Sequence, residues 1–176
     1  MDVFGKNPTS KMGEYFRRNV WHWRRLADLV VLFEPQLASK CKYWHTNDGA
    51  GLSKRDAGLM ADRLDAWVES GRVKEHIDKE DAAIAALPRV TCPWCNGIGI
   101  RTDEVGTELG MPDKIVEANP DDPDSLKNPR LGLKGWCNAC DGWGSAQDPA
   151  TMYWVTVDDV VAFAAFMRDS GGFQIC

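Results

Sequence analysis

The chain has 176 residues, 44% of them hydrophobic and eight of them tryptophan, with a formal net charge of −5. That length suits one compact domain with a small excursion, and the apolar content excludes wholesale disorder. The acidic balance argues against a protein that coats nucleic acid nonspecifically, which needs many cations to displace phosphate counterions.

The opening residues show no apolar stretch of the kind that directs secretion, and the longest nearby apolar run, LVVLF, is far too short to cross a bilayer. The expectation is a cytoplasmic protein in a reducing compartment, with no membrane partner. Charge is unevenly spread: residues 1–42 hold eight Lys or Arg against four acids, whereas residues 102–126 hold eight acids against the single Lys114.

From Met12 to Phe33, apolar residues recur at three- and four-residue steps: Phe16, Val20, Trp23, Ala27 and Val30, with Leu26, Leu29 and Phe33 beside them. This periodicity predicts one amphipathic helix, stopped by Pro35. Arg17, Arg18, Trp21, Arg24 and Arg25 fall on its outer face, either as a solvated surface or as a face for acidic groups or nucleic acid. Residues 43–53, YWHTNDGAGLS, read as a loop. His45 and Asp48 lie in it without any nucleophile that would make them a catalytic pair.

Ser53, with Asp56 three residues on, starts a second helix carrying Ala57, Met60, Leu64, Trp67 and Val68 on one face as far as Gly71. Val73, His76, Ile77, Ile84 and Leu87 continue a helical rhythm to Pro88, with His76 as a boundary residue. Further on, Thr156 caps a last helix containing Val157, Val160, Val161, Phe163, Ala164, Phe166 and Met167, which ends at Gly171 and Gly172. Periodicity does not decide whether residues 152–157 before it form a short strand or a lead-in.

Between the third and last helices the pattern CxxCxGxG occurs twice, as CPWCNGIG from Cys92 and as CNACDGWG from Cys137. Two cysteines three positions apart offer both sulfurs from one turn, and two such turns complete a tetrahedral thiolate site suited to zinc. The glycines permit tight bends and leave amides free to reach the sulfurs. Cys92, Cys95, Cys137 and Cys140 are therefore read as ligands of one structural Zn2+, with the coordination shell filled and no open catalytic position. Zinc closes the 41 residues between Cys95 and Cys137, which include the Pro- and Asp-rich stretch ANPDDPDSLKNPR.

Asp121, Asp122 and Asp124 in that stretch are candidates for a partner-facing acidic surface, the alternative being a solvated loop. Trp94, Trp136 and Trp143 cap the metal site or else offer a stacking or anchoring platform. Cys41 is read as a buried thiol and Cys176 has no assigned role.

The two repeats resemble the cysteine-rich zinc region of DnaJ-type co-chaperones, where four such repeats build two zinc sites. The HPD tripeptide of the J domain is absent, because His22, His45 and His76 are followed by Trp, Thr and Ile. The resemblance thus implies a zinc knuckle and no co-chaperone activity. Across most of the chain, YFRRNVWHWRRLADLV, YWHTNDGAGLS, KGWCNACDGWG and FMRDSGGFQIC together resemble an uncharacterised family of small bacterial and phage or prophage proteins. That likeness implies a chromosomal or mobile-element origin, phage-encoded in the leading expectation, in a bacterial host cell.

The expected fold is mainly α, about four amphipathic helices around an aromatic core, with a zinc-knuckle insertion and little β structure. Residues 1–88 and 148–176 would form the helical body, and residues 89–147 a knuckle sub-domain, together one compact unit. The leading functional expectation is a non-enzymatic, zinc-stabilised interaction factor that binds a host or phage protein complex and inhibits a defence system such as CRISPR. The alternative is a nucleic-acid-binding zinc-finger module using the basic first helix. No Walker loop, HExxH, GxSxG or dinucleotide-binding fingerprint supports an enzyme.

Overall fold

A computed structural model describes all 176 residues. In chain order it contains β1 (Asp2–Gly5), β2 (Tyr15–Arg17), α1 (Val20–Phe33), the single turn α2 (Pro35–Ala38), α3 (Lys54–Glu69) and α4 (Arg72–Ala85). There follow β3 (Val90–Thr91), α5 (Glu104–Glu108), β4 (Ser145–Ala146), α6 (Val157–Asp169) and β5 (Phe173–Ile175). Short 3-10 turns lie at Lys11–Gly13, Met111–Asp113, Pro123–Lys127 and Pro149–Met152. The chain is mostly helical, with small sheets and a buried aromatic cluster, and no helix is long and apolar enough to cross a membrane. It divides into two compact units: residues 1–86 with 150–176, and residues 87–149.

In the larger unit α1, α3 and α6 begin where side chains satisfy free amides, whereas α4 starts after the left-handed Gly71 with no side-chain cap. Ser53 accepts from the amide of Asp56 at the start of α3. Thr156 and Asp159 form a reciprocal capping box at the start of α6, whose first turn also carries Asp158. The single helix expected from Met12 to Phe33 does not form. Tyr15–Arg17 is instead a strand, paired antiparallel with β1 in the register Val3↔Phe16, and α1 starts only after Asn19, whose side chain accepts from the amide of His22. Phe16 is buried and its two neighbours are exposed, an alternation that fits a strand as well as Phe16 fits the helical spacing to Val20. Val20, expected on the buried face, is 56% exposed.

The sheet has the order β2-β1-β5, so the last three-residue strand returns beside the first. The far edge of β5 is closed by the 49–52 loop, with Phe173 donating to the Leu52 carbonyl and Ile175 to that of Ala50. Trp23, Phe163 and Phe166 cluster with Phe173 of β5, and all four are fully buried. Phe163 contacts Phe16, Trp23 and Phe173 with ring centroids 5.0, 5.6 and 5.9 Å apart. The buried indoles are satisfied: Trp23 donates to the Trp44 carbonyl at 2.7 Å and Trp44 to that of Ala38 at 3.0 Å.

The smaller unit is built differently. β3 and β4 pair as Val90↔Ala146 and Thr91↔Ser145, bringing the two ends of the segment together. Its buried apolar residues are the four paired cysteines, Met111 and Val116. The acidic stretch between the cysteine pairs is ordered by local caps and by backbone hydrogen bonds. Asp103 caps α5, Val116 exchanges hydrogen bonds with Leu133 and Gly132, and Trp136 donates to the Met111 carbonyl.

Candidate metal centre

The two cysteine repeats fold into near-identical turns. In the first, the Gly99 amide donates to Cys95 Sγ at 3.3 Å, and in the second the Gly144 amide donates to Cys140 Sγ at 3.3 Å. Ile98 and Trp143 each donate their amides to the carbonyl of the second cysteine, at 3.0 and 2.9 Å. The residues after the second cysteines, Asn96 and Asp141, have φ values of 49° and 50°, a left-handed conformation that Asn and Asp tolerate best among residues with a side chain.

The final glycine of each repeat locks the two turns together. A Cβ on Gly99 would lie 2.3 Å from the Gly142 carbonyl oxygen, and one on Gly144 would lie 2.1 Å from that of Gly97. Each turn therefore seats its glycine against the backbone of the other, and the cysteines converge. Cys92 and Cys137 sulfurs are 4.0 Å apart and those of Cys95 and Cys140 3.7 Å. All four sulfurs lie within 4.8 Å of one another, all four residues are buried, and the group could hold one metal ion.

The thiols have unequal surroundings. Burial pushes the Cys140 and Cys137 thiols above the ordinary range. At Cys92 burial acts in the same direction but is outweighed by the amides of Trp94 and Cys95 and by neighbouring thiols, so its pKa falls. Cys41, in the larger unit, is buried and pushed up to about 11 by desolvation, the behaviour of an inert core thiol.

Each tryptophan of the knuckles carries a cation on one face. Arg101 lies 4.7 Å from the Trp94 centroid, Lys114 5.2 Å from Trp136 and Arg89 5.3 Å from Trp143. Arg101 is only 9% exposed and also chelates both carboxylate oxygens of Asp103, at 2.8 and 3.0 Å. The sequence marks Lys114 only as the lone cation of residues 102–126 and gives Arg89 and Arg101 no role, since each role depends on which indole the cation meets in space.

The other candidate residues separate into distinct settings. Arg17 is on β2, 3.6 Å from the Asp2 carboxylate. Arg18, in the turn after β2, pairs with Asp159 at 2.6 Å. Arg25 on α1 pairs with Glu80 at 3.0 Å and donates to the Tyr153 carbonyl. Arg24 lies over the Tyr153 ring with no carboxylate partner, and Trp21 meets the same ring edge-on at 5.0 Å. The five residues thus do not form one helical face. Asp121, Asp122 and Asp124 are exposed, but Asp124 is paired with Lys127 at 2.6 Å and Asp122 caps the 3-10 turn. His45 Nε2 lies 3.0 Å from the Asp28 carboxylate. Comparison with family models, curated proteins and solved structures returned no match.

Proposed function

We propose that this chain is a non-enzymatic interaction factor whose 87–149 unit is organised by one structural zinc ion. Sulfurs at the corners of a tetrahedron with zinc–sulfur bonds of about 2.3 Å lie about 3.8 Å apart, and the separations of 3.7 and 4.0 Å across the cysteine pairs match that spacing. Four thiolates fill the shell, so the ion supports the fold and offers no position to a substrate. Uptake of one cobalt ion per chain, with the absorption of a tetrahedral tetrathiolate and displacement by zinc, tests the metal.

The observation that carries the interaction reading is the surface of that unit. Trp94, Ile98, Leu109, Ile115, Leu126 and Leu133 are each more than half exposed, as against only Met12, Val20, Leu32 and Met152 among the large apolar residues of the much larger other unit. A small unit that buries little but cysteine and presents this much apolar side chain has the composition of a docking surface. The arginines favour a protein partner over nucleic acid, because Arg17, Arg18 and Arg25 have carboxylates beside them and only Arg24 of the four is without one.

Affinity capture from bacterial lysate with and without nuclease tests this reading. A stoichiometric protein complex that survives nuclease, and is lost when Trp94 and Leu133 are replaced by serine, supports it. Partners that vanish with nuclease, or binding that disappears only with Arg24→Ala, favour the nucleic-acid alternative. Inhibition of a host defence complex is one form of the proposal, and the identity of the captured complex decides it.

A further inference from the structure

The two knuckles are near copies, so their differences separate what the metal fold needs from what it does not. Asn96 shows that the left-handed position after the second cysteine is filled by a neutral residue, so the carboxylate of Asp141 is a charge the turn does not require. Ile98 shows the same for Trp143, since both donate the same backbone hydrogen bond. Trp136 precedes the first cysteine of the second knuckle, where the first knuckle has Thr91.

All three departures line a single cleft of about 420 Å³, whose lining also includes Lys114, Glu117 and Asp122 from the acidic stretch. Within the lining, the amide of Asn128, 8% exposed, donates to the Asp141 carbonyl at 2.6 Å. Three carboxylates therefore meet one ammonium. The ion pairs of this unit engage Asp103, Asp113 and Asp124, and Asp122 caps the 3-10 turn beside the Lys127 ammonium, which leaves Glu117 and Asp141 without a cationic partner. Lys114, 5.2 Å from the Trp136 ring centroid, shows that an indole of this cleft accepts an ammonium against its face.

We propose that this cleft binds a basic side chain, lysine or arginine, presented by a partner polypeptide. The indole faces attract a cation through the ring quadrupole, and the unpaired carboxylates supply opposite charge and hydrogen-bond acceptors. This inference rests on the interaction reading and specifies the chemistry of the partner.

The test uses the full-length, metal-loaded chain with its tryptophan indoles labelled for NMR. The probes are a blocked pentapeptide Gly-Arg-Gly-Lys-Gly and its counterpart with glutamine in both basic positions. The basic peptide should shift the Trp136 and Trp143 indole resonances and leave Trp94 unmoved, and the glutamine peptide should shift neither. Asp141→Asn and Trp143→Ile import the first knuckle's own residues at equivalent positions, so they should keep the metal while weakening the basic peptide by about tenfold. Glu117→Gln, outside the knuckle, should do the same. Equal binding of the two peptides, unchanged affinity in Glu117→Gln and Asp141→Asn, or shifts spread over all eight indoles would each overturn the proposal. A partner complex captured equally by the wild type and by Asp141→Asn overturns this inference alone. A chain that captures no partner at all overturns the broader interaction reading even where the peptide binds.

Discussion

Removal of the metal should unfold residues 87–149 and leave the rest of the chain folded. Apart from its cysteines, the smaller unit buries only Met111 and Val116 as apolar side chains, which contribute about 1.5–3 kcal/mol each. A structural zinc site contributes roughly 10–16 kcal/mol in apparent terms at neutral pH, so a zinc ion held by the four cysteines would outweigh the unit's own apolar core. The larger unit has 26 buried apolar residues in one cluster and none of the four converging cysteines. The eight indole N–H resonances report on both, since Trp94, Trp136 and Trp143 belong to the smaller unit and the other five to the larger one. On titration with a chelator, those three should collapse to random-coil positions while the remaining five stay dispersed. Retention of all eight after complete metal removal would refute the argument that the metal holds the unit. Collapse of all eight would refute the separate stability of the two cores.

Gly144→Ala should abolish metal-dependent folding of the 87–149 unit, because the new Cβ would lie 2.1 Å from the Gly97 carbonyl oxygen; the same indole resonances and the metal content read it. Gly58→Ala, inside α3 where an added Cβ meets nothing within 4 Å, should raise stability by about 0.8–1 kcal/mol in urea unfolding. Asp159 is subject to burial, which raises its pKa, but the Thr156 amide and hydroxyl and the Arg18 guanidinium outweigh it and hold the carboxyl below the usual range. Its contribution is therefore complete above the unfolded value of about 4 and is lost as pH falls through the native value. Asp159→Asn should cost about 1 kcal/mol at neutral pH and progressively less in acid, measured as the urea midpoint against pH. Phe163→Ala, which removes the ring shared by Phe16, Trp23 and Phe173, should cost about 3–5 kcal/mol in the same assay.

The convergence of the four cysteines was legible in the sequence because its determinants are local. Three-residue cysteine spacing, a left-handed Asn or Asp and two glycines shape each turn within eight residues, and repetition of the pattern identifies the second half of the site. The starts of α3 and α6 were legible for the same reason, since Ser53 and Thr156 act on amides three residues away. The start of α1 was misread because Phe16 satisfies helical and strand periodicity alike, and only pairing with Val3 decides between them. That pairing and the return of Phe173–Ile175 to the same sheet join residues from opposite ends of the chain, and no local signal encodes them. The partners of the arginines are equally remote: Arg18 meets Asp159, and Arg25 meets Glu80. A row of cations in sequence thus became a set of separate ion pairs. Tertiary structure likewise gathered Trp136, Trp143, Asp141 and Glu117 around one cleft, since charge in a sequence carries no distance until the fold supplies its neighbours.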